Sequence, residues 1–224
     1  MPSSPLPQSA PLNVAQTLAQ GFALHKQGKL NEAAQLYTRI LAARPDHIDA
    51  LQYMALIRYD QGQHAEALQY TAKAMQVRTP SPQILMHHGL VLNALNRPNE
   101  AIESFDRAIK LKSKFAEAHN NRAAVLMALG RNEEALEGLR KALSITPGYV
   151  EAISNQGNAL IQLKRHDEAL KAFDRAIALK PNHVESLFNR GNVLKDLGRH
   201  DEALATYERV LALRPDFPEA LCNH

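Results

Sequence analysis

Asparagines recur at strict 34-residue spacing through the second half of the chain: Asn121, Asn155, Asn189 and Asn223. Two more, Asn158 and Asn192, each follow three residues behind one of these. On a helix that is one turn along the same face. A carboxamide offers two N–H donors and an oxygen acceptor, so it can pair with the N–H and C=O of a peptide backbone whatever side chains the peptide carries. Neighbouring helices pack about 10 Å apart, and an extended peptide rises about 3.3 Å per residue. Asparagines on successive helices could therefore hold roughly every third residue of an extended segment. The alternative is that these amides bond neighbouring helices or water and hold no ligand.

Other chemistry is hard to find. There is no HExxH, GxSxG, GxGxxG or Walker-type loop, so no catalytic residues, metal ligands or cofactor site are expected. His64, His166 and His200 share one register, which places three solvated histidines near turns rather than a ligand set. His87 and His88 are adjacent, and neighbours on a helix point about 100° apart. Cys222 is the only cysteine, which excludes an intrachain disulfide and a thiolate metal cluster.

The elements that must position the asparagines form a repeat. From Val14 a 34-residue period runs through six units: 14–47, 48–81, 82–115, 116–149, 150–183 and 184–217. Each unit reads as two amphipathic helices. In the last, they run from Val184 to about Leu197 and from about Asp201 to Leu213, with a break at Gly198 and a stop at Pro215. Position eight is always small, at Gly21, Ala55, Gly89, Ala123, Gly157 and Gly191. Position twenty is always alanine, from Ala33 to Ala203, and position nineteen always glutamate, from Glu32 to Glu202. Position fifteen is glycine at Gly28, Gly62, Gly130 and Gly198, with Asn96 and Lys164 as exceptions. Position twenty-four is bulky at Tyr37, Phe105, Leu139, Phe173 and Tyr207. The small residues let the helices of a hairpin approach, and the bulky residue is expected to fill the gap to the next unit.

This pattern resembles the tetratricopeptide repeat over residues 14–217. The fold expected is all-α: an α-solenoid, a right-handed superhelix of six helix-turn-helix units plus the start of a seventh. Residues 1–13, with four prolines and three serines, read as a disordered leader, and Asn13 as the cap of the first helix. Residues 218–224 match the first seven positions of a truncated seventh unit. The expectation there is that repeats continue past residue 224, or that the open C-terminal edge is covered by a second copy in a homo-oligomer. Thr79, Pro80, Ser81 and Pro82 replace the usual proline junction, so irregular packing, a kink or a hinge, is expected at 79–82.

In this family the first helix of each unit lines the concave groove, which puts the asparagines inside it. The first three units carry Phe22, Tyr53, Leu56, Tyr59, Met86 and Leu90 on the same stripe. These form either pockets for a partner's apolar side chains or a patch that packs on itself or the leader. The asparagine register also resembles the arm of O-linked N-acetylglucosamine transferases and their bacterial relatives. That resemblance implies a substrate-recruiting arm with a catalytic domain beyond residue 224, and no enzymatic activity in this chain itself. Other members bind chaperone carboxylate tails through a lysine- and arginine-based clamp. Here the equivalent window holds Asn120, Ala124, Asn155, Glu185 and Asn189, without a cation.

The partner expected is therefore a protein or peptide in extended conformation. Basic residues at position twenty-six (Arg39, Lys73, Arg107, Lys141, Arg175 and Arg209) fall on the second, outer helix, where a solvated face is expected rather than a nucleic-acid site. A net charge of +3 says little about partners, and the lack of tryptophan with few other aromatics weakens a base-stacking reading. No signal-like start and no apolar run of about 20 residues is present, so no membrane contact and a cytoplasmic location are expected.

Overall fold

The computed structural model describes residues 12–223, with only the backbone described for 221–223. The leader up to residue 11 and His224 thus lie outside the described residues, as does the side chain of Asn223. Every described element is a helix. They form two compact groups divided between Arg97 and Pro98. The first group contains α1 (Val14–Lys26), α2 (Leu30–Ala43), α3 (Ile48–Asp60), α4 (His64–Val77) and α5 (Pro82–Ala94). The second contains α6 (Pro98–Leu111), α7 (Ala116–Ala128), α8 (Asn132–Ile145), α9 (Val150–Gln162), α10 (His166–Leu179), α11 (Val184–Asp196), α12 (His200–Leu213) and α13 (Pro218–Asn223). Within each group successive hairpins stack as an α-solenoid, with first helices touching first helices: α1 on α3, α3 on α5, α7 on α9 and α9 on α11.

Each repeat is punctuated in the same way. The turn after the first helix needs a left-handed residue, with φ of 75°, 74°, 74° and 73° at Gly28, Gly62, Gly130 and Gly198. Asn96 and Lys164, the two exceptions, adopt the same conformation at 57° and 58°. Glycine is free of the Cβ clash there, asparagine tolerates it, and lysine bears it. Polar side chains start several first helices: Asn13 Oδ1 accepts from the Gln16 amide at 3.1 Å, as expected, and Ser81 Oγ from Ile84 at 3.3 Å. The second helices start differently. Arg131, Arg165 and Arg199 precede them and clasp Glu134, Glu168 and Glu202 with paired bonds of 2.6 to 2.7 Å. The invariant position-nineteen glutamate thus puts negative charge on the helix N-terminus, where it is favoured.

The core follows the register, with one correction. Position-twenty alanines are buried in all six repeats. The position-twenty-four ring, expected to fill the gap to the next unit, first lies on the position-eight glycine of its own hairpin. A Cβ added at Gly21, Gly157 or Gly191 would meet Tyr37, Phe173 or Tyr207 at 2.6, 2.5 and 2.5 Å. Where position eight is alanine, position twenty-four is Thr71 or Leu139, neither of which is a ring. The rings also reach onward: Tyr37 stacks on Tyr53 of the following repeat at 5.5 Å. At the second junction the backbone departs from the others at Arg78, just ahead of the 79–82 segment. Arg78 is fully extended, with φ −161° and ψ 175°, where Arg44, Thr146, Lys180 and Arg214 have ψ near 86–89°. The division between the compact groups falls elsewhere, in the turn between α5 and α6.

Candidate functional site

The asparagines lie in the second group, on α7, α9 and α11. Asn121, Asn155 and Asn189 are all half-buried, as are Asn158 and Asn192. Their side chains are held by bonds between neighbouring first helices. Asn155 Nδ2 donates to Asn120 Oδ1 at 2.9 Å, and Asn120 Nδ2 lies 3.4 Å from Asn121 Oδ1. One repeat on, Asn189 Nδ2 donates to Asn158 Oδ1 at 2.8 Å, and Asn158 Nδ2 to Glu185 Oε1 at 3.3 Å. Asn192 Oδ1 accepts from the Tyr207 hydroxyl at 2.8 Å.

Asn155 and Asn189 occupy the same register yet choose different acceptors. The reason is local. Asn158 offers a carbonyl oxygen to Asn189, whereas the equivalent residue facing Asn155 is Ala124, so Asn155 turns to Asn120. Lateral bonding between helices, one of the two alternatives open from the sequence, is therefore present. Each of these two carboxamides spends one N–H on it, which fixes the side chain, and no partner for the second N–H or the oxygen is found among the described residues.

Asn120, Tyr149 and Glu185 were not among the sequence candidates, and they complete the row. The Asn120 carboxamide, buried, hydrogen-bonds the Tyr149 phenol. Burial raises the Tyr149 pKa first, and the carboxylates of Glu117 and Glu151 raise it further. The available signal was positional: Asn120 directly precedes a ladder asparagine, and Tyr149 caps the helix that carries the next one.

The six apolar candidates all lie in the first group. Phe22 and Tyr53 lie 5.3 Å apart, and Tyr53 leans on the core through Tyr37. Lys26 stands 4.9 Å over the Phe22 ring, and Tyr59 lies 5.2 Å from His64. Leu56, Met86 and Leu90 are half-buried. Of the alternatives open from the sequence, packing among themselves describes Phe22 and Tyr53. These two occupy the slot that Asn158 and Asn189 fill in the second group, position nine of one repeat against position six of the next.

Two histidine expectations need correction. His64 and His166, the first residues of α4 and α10 and so next to the turn, are half-buried rather than solvated, and their Nδ1 atoms are shielded from water without a partner among the described residues. Only His200 of the three is exposed. The position-twenty-six cations are all exposed on the second helices, as expected. Among the described residues no acidic, histidine or cysteine group is arranged to hold a metal, and no helix is long and apolar enough to cross a membrane.

Comparison with known proteins agrees with the repeat geometry. The family described as Tetratricopeptide repeat matches residues 114–182 and again 149–216, and that described as TPR repeat matches 89–130. Residues 26–108 match the family described as Anaphase-promoting complex, cyclosome, subunit 3. No curated protein matches the chain as a sequence. Among solved structures it is similar to a chain of the APC/C hetero-tetramer Cut9-Hcn1, with TM-score 0.86 and 18% identity over 94% of this chain and 42% of that one. This chain thus spans less than half of that relative. It is similar to PilW, a type IV pilus biogenesis factor, at TM-score 0.87 and 18% identity over 95% and 99% of the two chains. It is also similar to YrrB, described as a TPR protein with an unusual peptide-binding site, at TM-score 0.63 and 21% identity over 84% and 97%. At such identities the solved structures speak for the fold alone. Repeat register, hairpin geometry and family matches converge, and the chain belongs to the tetratricopeptide repeat family.

Proposed function

We propose that this tetratricopeptide array is a protein-interaction scaffold whose second group takes an extended peptide segment along α7, α9 and α11. The observation that carries the proposal is the fixed pair of carboxamides: Asn155 and Asn189, each anchored by one N–H and keeping a donor and an acceptor. An anchored amide loses little side-chain freedom on binding, so more of its hydrogen-bond energy reaches the complex. Asn121, Asn158 and Asn192 belong to the same row, and Asn223, whose side chain lies outside the described residues, holds the next place in the 34-residue register of the sequence. Because the groups gripped are backbone N–H and C=O, many sequences are accepted in one conformation. The apolar face of Phe22, Tyr53, Leu56, Tyr59, Met86 and Leu90 adds a second, sequence-selective contact on the first group.

Binding across a peptide array, parent against the triple variant Asn121→Ala, Asn155→Ala and Asn189→Ala, tests this. A general loss of binding with retained helicity supports it. Unchanged binding in the triple variant removes the amide row from the function. The recruiting-arm alternative draws on the asparagine register alone: a glycosyltransferase domain encoded after His224 would support it, and a stop codon there ends it.

A further inference from the structure

Phe22 is the one aromatic residue exposed among the described residues. Tyr53 meets its ring at 5.3 Å and the Lys26 ammonium stands 4.9 Å from its centroid, yet 40% of the residue still faces water. A single exposed apolar side chain is ordinary. This one ends a track. Ala15, Ala19, Phe22 and Lys26 fall at i, i+4, i+7 and i+11 on α1, and all four are exposed. The track is shallow, uncharged as far as Phe22, and begins in the first turn of the helix. Among the described residues α1 packs on α2 and α3, and neither covers it.

The chain that precedes α1 is attached where the track begins. Leu12 is half-buried and packs on the cluster of Tyr37, Met54 and Ile57, against which Tyr53 also leans. The end of the leader is thereby pinned to the core that carries the apolar face. Residues 1–11 lie outside the described residues; they include Pro2, Pro5, Pro7, Pro11 and Leu6, and no charged side chain. From Asn13 to Phe22 the helix rises about 14 Å, at about 1.5 Å per residue. An extended proline-rich chain covers that distance in about five residues, at about 3.1 Å each. A leader turned back along α1 therefore brings Pro7 and Leu6 level with the Phe22 ring. Proline-rich segments suit aromatic surfaces because their extended conformation is preformed and little entropy is lost on docking. A short tether adds an effective concentration in the millimolar range, so even a weak contact is populated.

We infer that residues 1–11 fold back along α1 and seat Leu6 and Pro7 on Phe22 beside Tyr53, so that the chain's own leader is the resident occupant of this end of the apolar face. The inference rests on the apolar-face part of the function proposed above and is independent of the amide row. A partner segment that uses Phe22 must displace the leader first, and an uncharged proline-containing segment is the kind that fits.

The test uses the full chain with a photo-reactive benzoylphenylalanine in place of Leu6. After irradiation, mass spectrometry locates the cross-links. They are expected within one chain, joining position 6 to Phe22 or Tyr53, and their yield should fall about fivefold in Phe22→Ser. Circular dichroism establishes that the variant is folded. Cross-links between two chains overturn the inference, because the leader then docks on a second copy. Cross-links scattered over the helices, or a yield unchanged in Phe22→Ser, also overturn it. A labelled synthetic peptide of residues 1–12 supplies the second arm, titrated into the parent and into Leu6→Asp, whose own leader is disabled. The peptide should bind Leu6→Asp about three- to tenfold tighter than the parent. Equal binding to both overturns resident occupancy and leaves the apolar face able to take a segment. Failure to bind either chain overturns the apolar face and this inference together.

Discussion

A glycine and a ring, sixteen residues apart, set how closely the hairpins of Gly21, Gly157 and Gly191 close. Gly191 leaves space that Tyr207 fills, and a methyl group there would stand 2.5 Å from the ring. Gly191→Ala is therefore expected to cost about 1–3 kcal/mol in chemical denaturation. Shortening the ring in the same chain, Tyr207→Leu, should recover part of that loss, since Ala123 and Leu139 form that combination naturally. Strictly additive losses in the double-mutant cycle would contradict the contact. Lys164 offers the opposite sign. It holds φ at 58° where four repeats have glycine, so Lys164→Gly should stabilise by about 1 kcal/mol, read in the same denaturation experiment. At this scale the sequence showed which positions must be small and which bulky. It did not show that position twenty-four meets position eight of its own hairpin, because that depends on the crossing of the two helices. Nor did it show the acceptor chosen by each asparagine, which turns on whether the facing residue is Ala124 or Asn158.

Helix α5 carries His87 at the register that holds asparagine in α7, α9 and α11. Burial lowers its pKa to about 4, and its Nδ1 has no partner among the described residues. The folded pKa lies below the unfolded value near 6.5, so the unfolded chain binds the extra proton. Stability contributed by the neutral ring is complete above about pH 6.5 and is lost as pH falls toward 4. His87→Gln should flatten that part of the stability profile by roughly 1–2 kcal/mol between pH 7 and 4, measured by urea melts. A parent and variant with parallel profiles would contradict it. Helix boundaries were the most legible feature of the chain, since proline, left-handed turn residues and the 34-residue period mark them almost to the residue. The fully extended Arg78, by contrast, lies just ahead of the proline-bracketed junction where irregularity was expected.

Across the whole chain the chemistry is divided. All six apolar candidates belong to the first compact group, and the amide row with its glutamates to the second. Repetition made the fold readable from sequence, because six units in register admit few other architectures. It made the site only half readable. A recurrent asparagine can serve the stack or a ligand, and the lateral bonds of Asn155 and Asn189 serve the stack with one N–H each. A grip on a peptide backbone therefore depends on the remaining donor and oxygen of each. That is measured most directly by comparing a bound extended peptide with its ester analogue, in which every third backbone N–H is replaced by oxygen. Side chains and extended shape are retained, and the donors an asparagine oxygen would accept are gone. Each lost bond should weaken binding about two- to tenfold in the parent protein and leave the triple asparagine variant unaffected. Equal affinity of peptide and ester for the parent would contradict the central claim that carboxamides hold the backbone.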